Sequence, residues 1–386
     1  MADQAIKIAI IRKVNNLEND DRIRKEVTSL TSLFPHVSFK VFVMLDDKNM
    51  ESEGITSYGL PFRTVYLKTR DKYPGGSHLI LKSWDYYCTV KKDIHDYDYV
   101  WNSGNEPTPT LLFFRKQKLI WDLRELPLFL MGNPVKTKIL KYIFNKCSLL
   151  LHANQYRIDY LKENGLIDVP SKHVPLRNFP EFGAVDTEYD ARYYEVKEWI
   201  GGRPCVYLQG LNNDSRAAVE SVSAVMETPG LCAIVLGRFY DKAIETLTSK
   251  YGAESIKSRI CLAGNFKVLK IPQYMALCKL SLVFYKNTSP NNWLCEANRL
   301  YQAIDAGLPV VVGANPPMKS VVEDLNVGLS IDSDGSEIGK ITEGIKNLLR
   351  NYDIYKQSIE NLQYEIKWDS QSKLLKNTFD KLFNFI

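Results

Sequence analysis

The chemistry this chain can offer is concentrated between Glu296 and Asp332, where the sequence reads EANRLYQAIDAGLPVVVGANPPMKSVVEDLNVGLSID. Asn298 to Ala306 is a helix-prone run that stops at Gly307. Pro309 to Val312 reads as a buried strand, and a Gly/Asn/Pro loop follows. The start of the helix faces a loop, Asn287 to Glu296, that is rich in Asn, Ser and Pro. The first N–H groups of a helix have no intrahelical acceptor and sit at the positive end of its dipole, so they can hold anionic oxygens. Arg299 lies in that first turn and adds a positive charge. Together these features can grip a diphosphate. Taken by itself, a helix–Gly–Pro–strand string also fits many α/β proteins.

Nucleophiles and metal ligands are less organised. The seven cysteines (Cys88, Cys147, Cys205, Cys232, Cys261, Cys278 and Cys295) are scattered, and none forms a CxxC pair. Most sit in apolar runs, which predicts buried free thiols in a reducing compartment. The five histidines are dispersed as well, so no metal site is expected. A formal net charge of +5 over 386 residues is mild. It argues against a nucleic-acid partner and leaves room for a local basic face against an anionic membrane. Hydrophobic content of 45% and charged content of 25% are those of a globular protein. No apolar run approaches the roughly 20 residues that span a bilayer. The opening MADQAIKIAIIRK has no basic segment before its short apolar run, which reads as a first strand and not a signal peptide. The expected location is cytoplasmic, with peripheral contact at the inner face of a membrane as an option.

The elements that must position these residues follow an alternating pattern. Ile6 to Ile11 is apolar and β-branched, as in a buried parallel strand. Asp20 and Asp21 can cap a helix that begins near Arg22. Further strands are predicted at Val37 to Leu45, Phe62 to Leu67, Tyr97 to Asn102, Leu119 to Asp122 and Leu149 to Ala153. Ser77 to Lys92 reads as an amphipathic helix and Pro107 to Lys116 as a helix opened by proline. A chain of this length predicts two domains of about 150–200 residues. The segment Phe182 to Pro204 breaks the rhythm and reads as a linker with a short helix. A second series follows, with strands at Cys205 to Leu208, Cys232 to Leu236, Ile260 to Ala263, Leu280 to Phe284, Val310 to Gly313 and Gly328 to Ile331. Helices are predicted at Ser215 to Met226, Tyr240 to Tyr251, Pro272 to Leu277 and along the tail from Trp368. Such βα alternation gives an α/β fold with doubly wound sheets.

Placed on these elements, Ala297-Asn298-Arg299-Leu300-Tyr301-Gln302 and Ala306-Gly307-Leu308-Pro309-Val310-Val311 resemble the donor-binding signature of GT-B glycosyltransferases. The likeness is to the retaining family 4 type, whose members carry strings similar to PNKLFEYMAAGLPVV. Trp121-Asp122-Leu123-Arg124-Glu125-Leu126-Pro127 is similar to that family's YDLHELP string, Arg177-Asn178-Phe179-Pro180 to its NYP exit, and Asp20 to Glu26 to its NDPRVxRE helix start. The resemblance implies a GT-B architecture, two Rossmann-like domains facing across a cleft. Residues 1–182 are the expected acceptor-side domain, 183–204 the linker and 205–367 the nucleotide-sugar domain, with a helix over 368–386 crossing back to the first.

The implied activity is transfer of a sugar from a nucleotide-sugar donor, UDP-linked, to a saccharide or lipid-linked acceptor in polysaccharide or glycoconjugate synthesis, with retention and without a cofactor. The diphosphate falls to Arg216, which matches the second basic residue of the family's G-R-L-x-x-x-K segment, and to Arg299. An arginine fork suits two phosphate oxygens. Gly210 matches the glycine of that segment, and Leu211 replaces its first basic residue. Gly237 and Arg238 follow the next strand, and Asn265 and Phe266 the one after, near the base. Asn298 and Leu300 match the helix start. Gln302 takes the place of the glutamate that binds the ribose, and an amide can still bond a hydroxyl. Leu294 stands where the family has its other glutamate, with Glu296 close enough to reach the sugar. Glu125 matches the family's cleft glutamate, and Arg124 replaces a histidine that contacts the transferred sugar. These departures support a rival reading, a catalytically degenerate subunit that binds saccharide or a partner. A sugar epimerase of the same fold would need facing carboxylates and histidines, which the sequence does not place.

Overall fold

The computed structural model describes residues 5–48, 52–106, 108–181, 186–266, 268–362 and 366–383. They form two units, residues 1–178 with 369–386, and residues 179–368.

The first unit is built on an eight-stranded sheet. Its strands are β1 (Ile6–Lys13), β2 (Val37–Leu45), β3 (Glu53–Ile55), β4 (Pro61–Tyr66), β5 (Tyr99–Ser103), β6 (Lys118–Leu123), β7 (Cys147–His152) and β8 (His173–Pro175). Their order is β3-β4-β2-β1-β5-β6-β7-β8. All neighbours are parallel except β3 and β4. Asp20 caps the helix Asp21–Leu33 by accepting from Ile23 N, as its place before an apolar-periodic run predicts. The helix Trp368–Phe383 belongs to this unit from Asp369 on, with Leu375 and Phe379 buried. The ring of Phe379 lies 5.6 Å from Trp101 of β5.

The second unit carries a six-stranded parallel sheet, β9 (Cys205–Gln209), β10 (Cys232–Leu236), β11 (Ile260–Gly264), β12 (Leu280–Val283), β13 (Val310–Val312) and β14 (Gly328–Ser330), in the order β11-β10-β9-β12-β13-β14. Alternate residues face opposite sides of a strand, and the core divides accordingly. Cys205, Tyr207, Cys232, Ile234 and Leu236 enter one cluster with helices Ala191–Ile200 and Asn298–Asp305. Val206, Leu208, Ala233 and Val235 enter another with helices Ala218–Met226 and Ile338–Arg350. Helices on both faces make the sheet doubly wound and explain why the strands read as continuous apolar runs.

Three segments differ from their sequence reading. Of the expected linker 183–204, residues 183–185 lie outside the described residues. The rest is built into the second unit: Tyr193, Val196 and Ile200 are core, and Asp190 pairs with Lys270 at 3.0 Å. The expected helix Pro107 to Lys116 is a 3₁₀ turn, Thr108–Leu112, with Pro107 outside the described residues. Pro109 removes a donor and disfavours helical geometry at the residue before it. The expected helix Ser215 to Met226 breaks at Ala217, which adopts φ 52° between a 3₁₀ turn, Asp214–Arg216, and the helix Ala218–Met226. In a continuous helix the Ser215 carbonyl would accept from residue 219. Here it accepts from Lys286 N at 2.8 Å.

Candidate functional site

In the second unit, connections leave β9 toward β10 on one side while β12 pairs on its other side. Such a switch point opens a crevice beyond the carboxyl ends of the strands. Gly210 follows β9 and Gly237 follows β10, both at positive φ, 62° and 87°. A Cβ on Gly237 would stand 3.6 Å from Gly210 N and 3.9 Å from Asn265 Oδ1. Gly210, Gly237 and Asn265, read separately from sequence, therefore converge on one lip. Phe266 packs on Tyr274 at 4.2 Å. Arg238 points to solvent with its side chain 75% exposed, 3.3 Å from Asp241.

Two guanidinium groups share the ring of Tyr285, just past β12. Arg216 and Arg299 each place their central carbon 4.9 Å from its centroid. Their situations differ. Arg216 is half-buried on the 3₁₀ turn, with Nη1 at 3.5 Å from the position a Gly210 Cβ would take. Arg299 is only 5% exposed. Its Nη1 donates to Gln209 O at 2.5 Å and its Nη2 to Phe284 O at 2.8 Å, while Nε is buried without an acceptor. Arg299 thus ties the ends of β9 and β12 together, where the sequence suggested a fork open to phosphate. Burial, with the like charge of Arg216 behind it, lowers its pKa. An anion beside the pair would be strongly attracted, because both cations sit in a region of reduced dielectric.

The helix Asn298–Asp305 begins at Ala297 with no side-chain cap. Asn298 is exposed, and Gln302, one turn on, is half-buried on the same face. Leu300 is fully buried core, so any contact it offers a ligand is through its backbone. Glu296 is half-buried just ahead of the helix. Leu211 and Leu294 are both buried. Sequence reasoning missed Tyr285 and Asn315. Asn315 is fully buried and donates to Tyr285 O at 3.0 Å and Asn292 O at 3.1 Å, fixing the loop before the helix. The signal for Tyr285 was its place, one residue beyond a buried strand and beside Lys286.

In the first unit, Arg124 is held in an ion network at the carboxyl ends of β1 and β6. Its Nη1 bonds Asp20 at 2.8 and 2.9 Å, its Nε Asp122 at 3.2 Å, and its Nη2 the Ser103 hydroxyl at 2.8 Å. Arg22 grips the same Asp122 at 2.7 and 3.0 Å, and Arg12 bonds Asp20 at 2.9 Å. Burial opposes the charge on Arg124, yet Asp20 and Asp122 outweigh it and raise its pKa. Glu125, the other candidate in this string, is exposed and takes no part in the network. Among the described residues no group of three or more His, Cys, Asp or Glu is arranged to hold a metal ion. No helix among them is long and apolar enough to cross a membrane.

No protein-family model matches the sequence, and no curated protein matches it. Solved structures do. Sucrose-phosphate synthase from Thermosynechococcus elongatus is similar with a TM-score of 0.78 at 13% identity, over 99% of this chain and 100% of that one. HepE of Anabaena, solved with UDP, gives 0.71 at 14% identity, over 97% and 100%. An E. coli trehalose-6-phosphate structure bound with UDP-2-fluoro glucose gives 0.72 at 10% identity, over 98% and 99%. At these identities the likeness is one of fold. The neighbours are GT-B glycosyltransferases, so the two Rossmann-like units have the GT-B architecture that the sequence resemblance implied.

Proposed function

We propose that the chain is a glycosyltransferase that moves a sugar from a UDP-linked donor to a saccharide or lipid-linked saccharide acceptor, with retention at the anomeric carbon. The observation that supports this most is the pair Arg216 and Arg299 at one aromatic ring, beside an uncapped helix start and at a sheet switch point. Structures of the same fold hold UDP and UDP-glucose. In this reading Arg216 and the helix start meet the diphosphate, Arg299 supplies fixed charge from behind, and Gln302 serves the ribose. Gly210, Gly237, Asn265 and Phe266 border the nucleoside, and Glu296 lies toward the sugar. During transfer the bond from the anomeric carbon to the diphosphate oxygen breaks and a bond to the acceptor oxygen forms. The acceptor proton passes to the departing diphosphate, whose charge is stabilised by cations already in position. Arg216→Ala is expected to weaken UDP binding about ten-fold or more, equivalent to about 1.4 kcal/mol, while leaving the melting temperature close to that of the wild type. Unchanged UDP affinity by calorimetry would remove Arg216 from the site.

A second reading, a non-catalytic subunit of the same fold, draws on Arg124 being committed to Asp20 and Asp122 and on Leu294 being buried. The two separate on incubation with a panel of nucleotide sugars. A transferase releases free nucleoside diphosphate slowly, and a binding subunit releases none.

A further inference from the structure

The first unit contains a cavity of about 850 Å³ along the carboxyl ends of β4, β2, β1 and β5, lined among others by Lys13, Asp46, Arg70, Lys82, Asn105 and Glu106. Its charges do not balance. Lys13 pairs with Asp46 at 3.3 Å and with Glu106 at 2.6 Å, and Arg70 pairs with the same Asp46. Those two carboxylates are therefore shared out already. Lys82 has none: it is 3% exposed and donates only to the carbonyl of Gly75, and no ion pair holds it among the described residues. Burial, then Arg70 and Lys13, push its pKa down. An ammonium on a cavity wall with no carboxylate paired to it among the described residues attracts an anion into the cavity.

Further groups at the cavity wait for partners. Arg70 has a side chain only 10% exposed, and its Nε is buried without an acceptor. Ser83, also on the wall, is 1% exposed and its hydroxyl has no partner. Asn105 donates to Leu126 O at 3.2 Å, but its Oδ1 is buried and unpaired. The 16-residue helix Leu79–Ile94 starts at this wall behind His78, with no side-chain cap, so its positive end adds to the same field. Unsatisfied donors and a surplus cation call for an anion, and the free acceptor on Asn105 calls for a hydroxyl.

We propose that this cavity is the acceptor site and that it takes an anionic sugar, one whose phosphate or carboxylate is held by Lys82 and Arg70 while Asn105 accepts from a ring hydroxyl. The acceptor role rests on the glycosyltransferase reading above. The binding of an anionic sugar does not, and the test separates them. The full chain is titrated by calorimetry with glucose 6-phosphate, glucuronate, glucose and inorganic phosphate, each with and without saturating UDP. At least one of the two anionic sugars is expected to bind about ten-fold or more tightly than glucose, and the better of the two identifies phosphate or carboxylate as the group held. Lys82→Met should lower that affinity by about ten-fold and leave UDP binding as it was. Glu106→Gln, at an exposed position, frees Lys13 and should tighten it a few-fold; it keeps the test decisive should Lys82→Met fail to fold. Equal affinity for glucose, no binding of either anionic sugar at millimolar concentration, or loss of affinity in Glu106→Gln would each overturn the proposal. Anionic sugar binding without any UDP binding would sustain the site and sink the transferase reading instead.

Discussion

Glu26 is a carboxyl kept beside an arginine, 3.0 Å from Arg22 Nε, and still pushed up to about 8. Burial is the main cause and the charge of Asp122 the next, with Arg22 and Arg124 opposing. The folded state therefore binds this proton more tightly than the unfolded chain, where a glutamate titrates near 4.3. The resulting stability is fully present below about pH 4.3 and is lost as pH rises toward about 8. Asp20 works the other way: Arg124 and Arg12 overcome the effect of burial and hold its pKa low, so its contribution is present above the ordinary aspartate range and is lost as pH falls. Glu26→Gln mimics the neutral acid. Urea unfolding between about pH 5 and pH 8 should show a falling limb in the wild type that is flatter in the variant. Parallel limbs would mean that Glu26 is ionised throughout. From sequence, the string WDLREL was legible as the end of a strand, and one partner of Arg124, Asp122, stands within that string. The other partner, Asp20, lies 104 residues away. Nothing local in the sequence announces a contact made by strand order.

The two arginines beside Tyr285 do different work because different elements carry them. Arg299 rises from a regular helix into the gap between two strand ends and spends both terminal nitrogens on backbone carbonyls. Removing it leaves Gln209 O and Phe284 O without a donor and opens a void. Arg299→Ala should therefore cost about 2–4 kcal/mol in urea unfolding, the sum of a packing loss and two lost charged hydrogen bonds. Arg216 sits on the turn that Ala217 separates from its helix, half-buried and without an ion pair among the described residues. Arg216→Ala should shift stability by no more than about 0.5 kcal/mol. Equal costs for the two variants would contradict this division into strut and ligand cation. The helix Asn298–Asp305, Gly307 and the strand after it were readable in full, because the periodicity is strong and the stop signal is glycine. The break at Ala217 was not. It depends on Lys286 reaching the Ser215 carbonyl from 71 residues further along the chain, and alanine gives no hint of positive φ.

At the scale of the whole chain, the backbone enters the second unit at Phe179 and returns to the first at Asp369. The strand–helix alternation made both sheets legible, and the tail was readable as a helix. Its attachment to the first domain was implied by the family resemblance alone, since by its own pattern a terminal amphipathic helix can cover either domain. The contacts of Phe379 and Phe383 decide it. Phe379 packs on Trp101, and Phe383 packs edge-on against Phe34 at 5.3 Å and Tyr99 at 5.8 Å. The last helix is thus part of the core of the unit in which the chain began. Phe379→Ala leaves a large void in that core and should cost about 3–5 kcal/mol. The cost should be local, because β9 to β14 have their own core and no share in this one. Hydrogen exchange read by mass spectrometry should find β1, β5 and the helix Trp368–Phe383 exchanging faster in Phe379→Ala, with the strands of the second unit protected as before. UDP, added at saturation, should still raise protection around β9 and β12 in the variant. Loss of protection spread evenly over both sheets would mean that the tail helix stabilises the molecule as one cooperative block, and the division of the fold into two separately stabilised units would have to be given up.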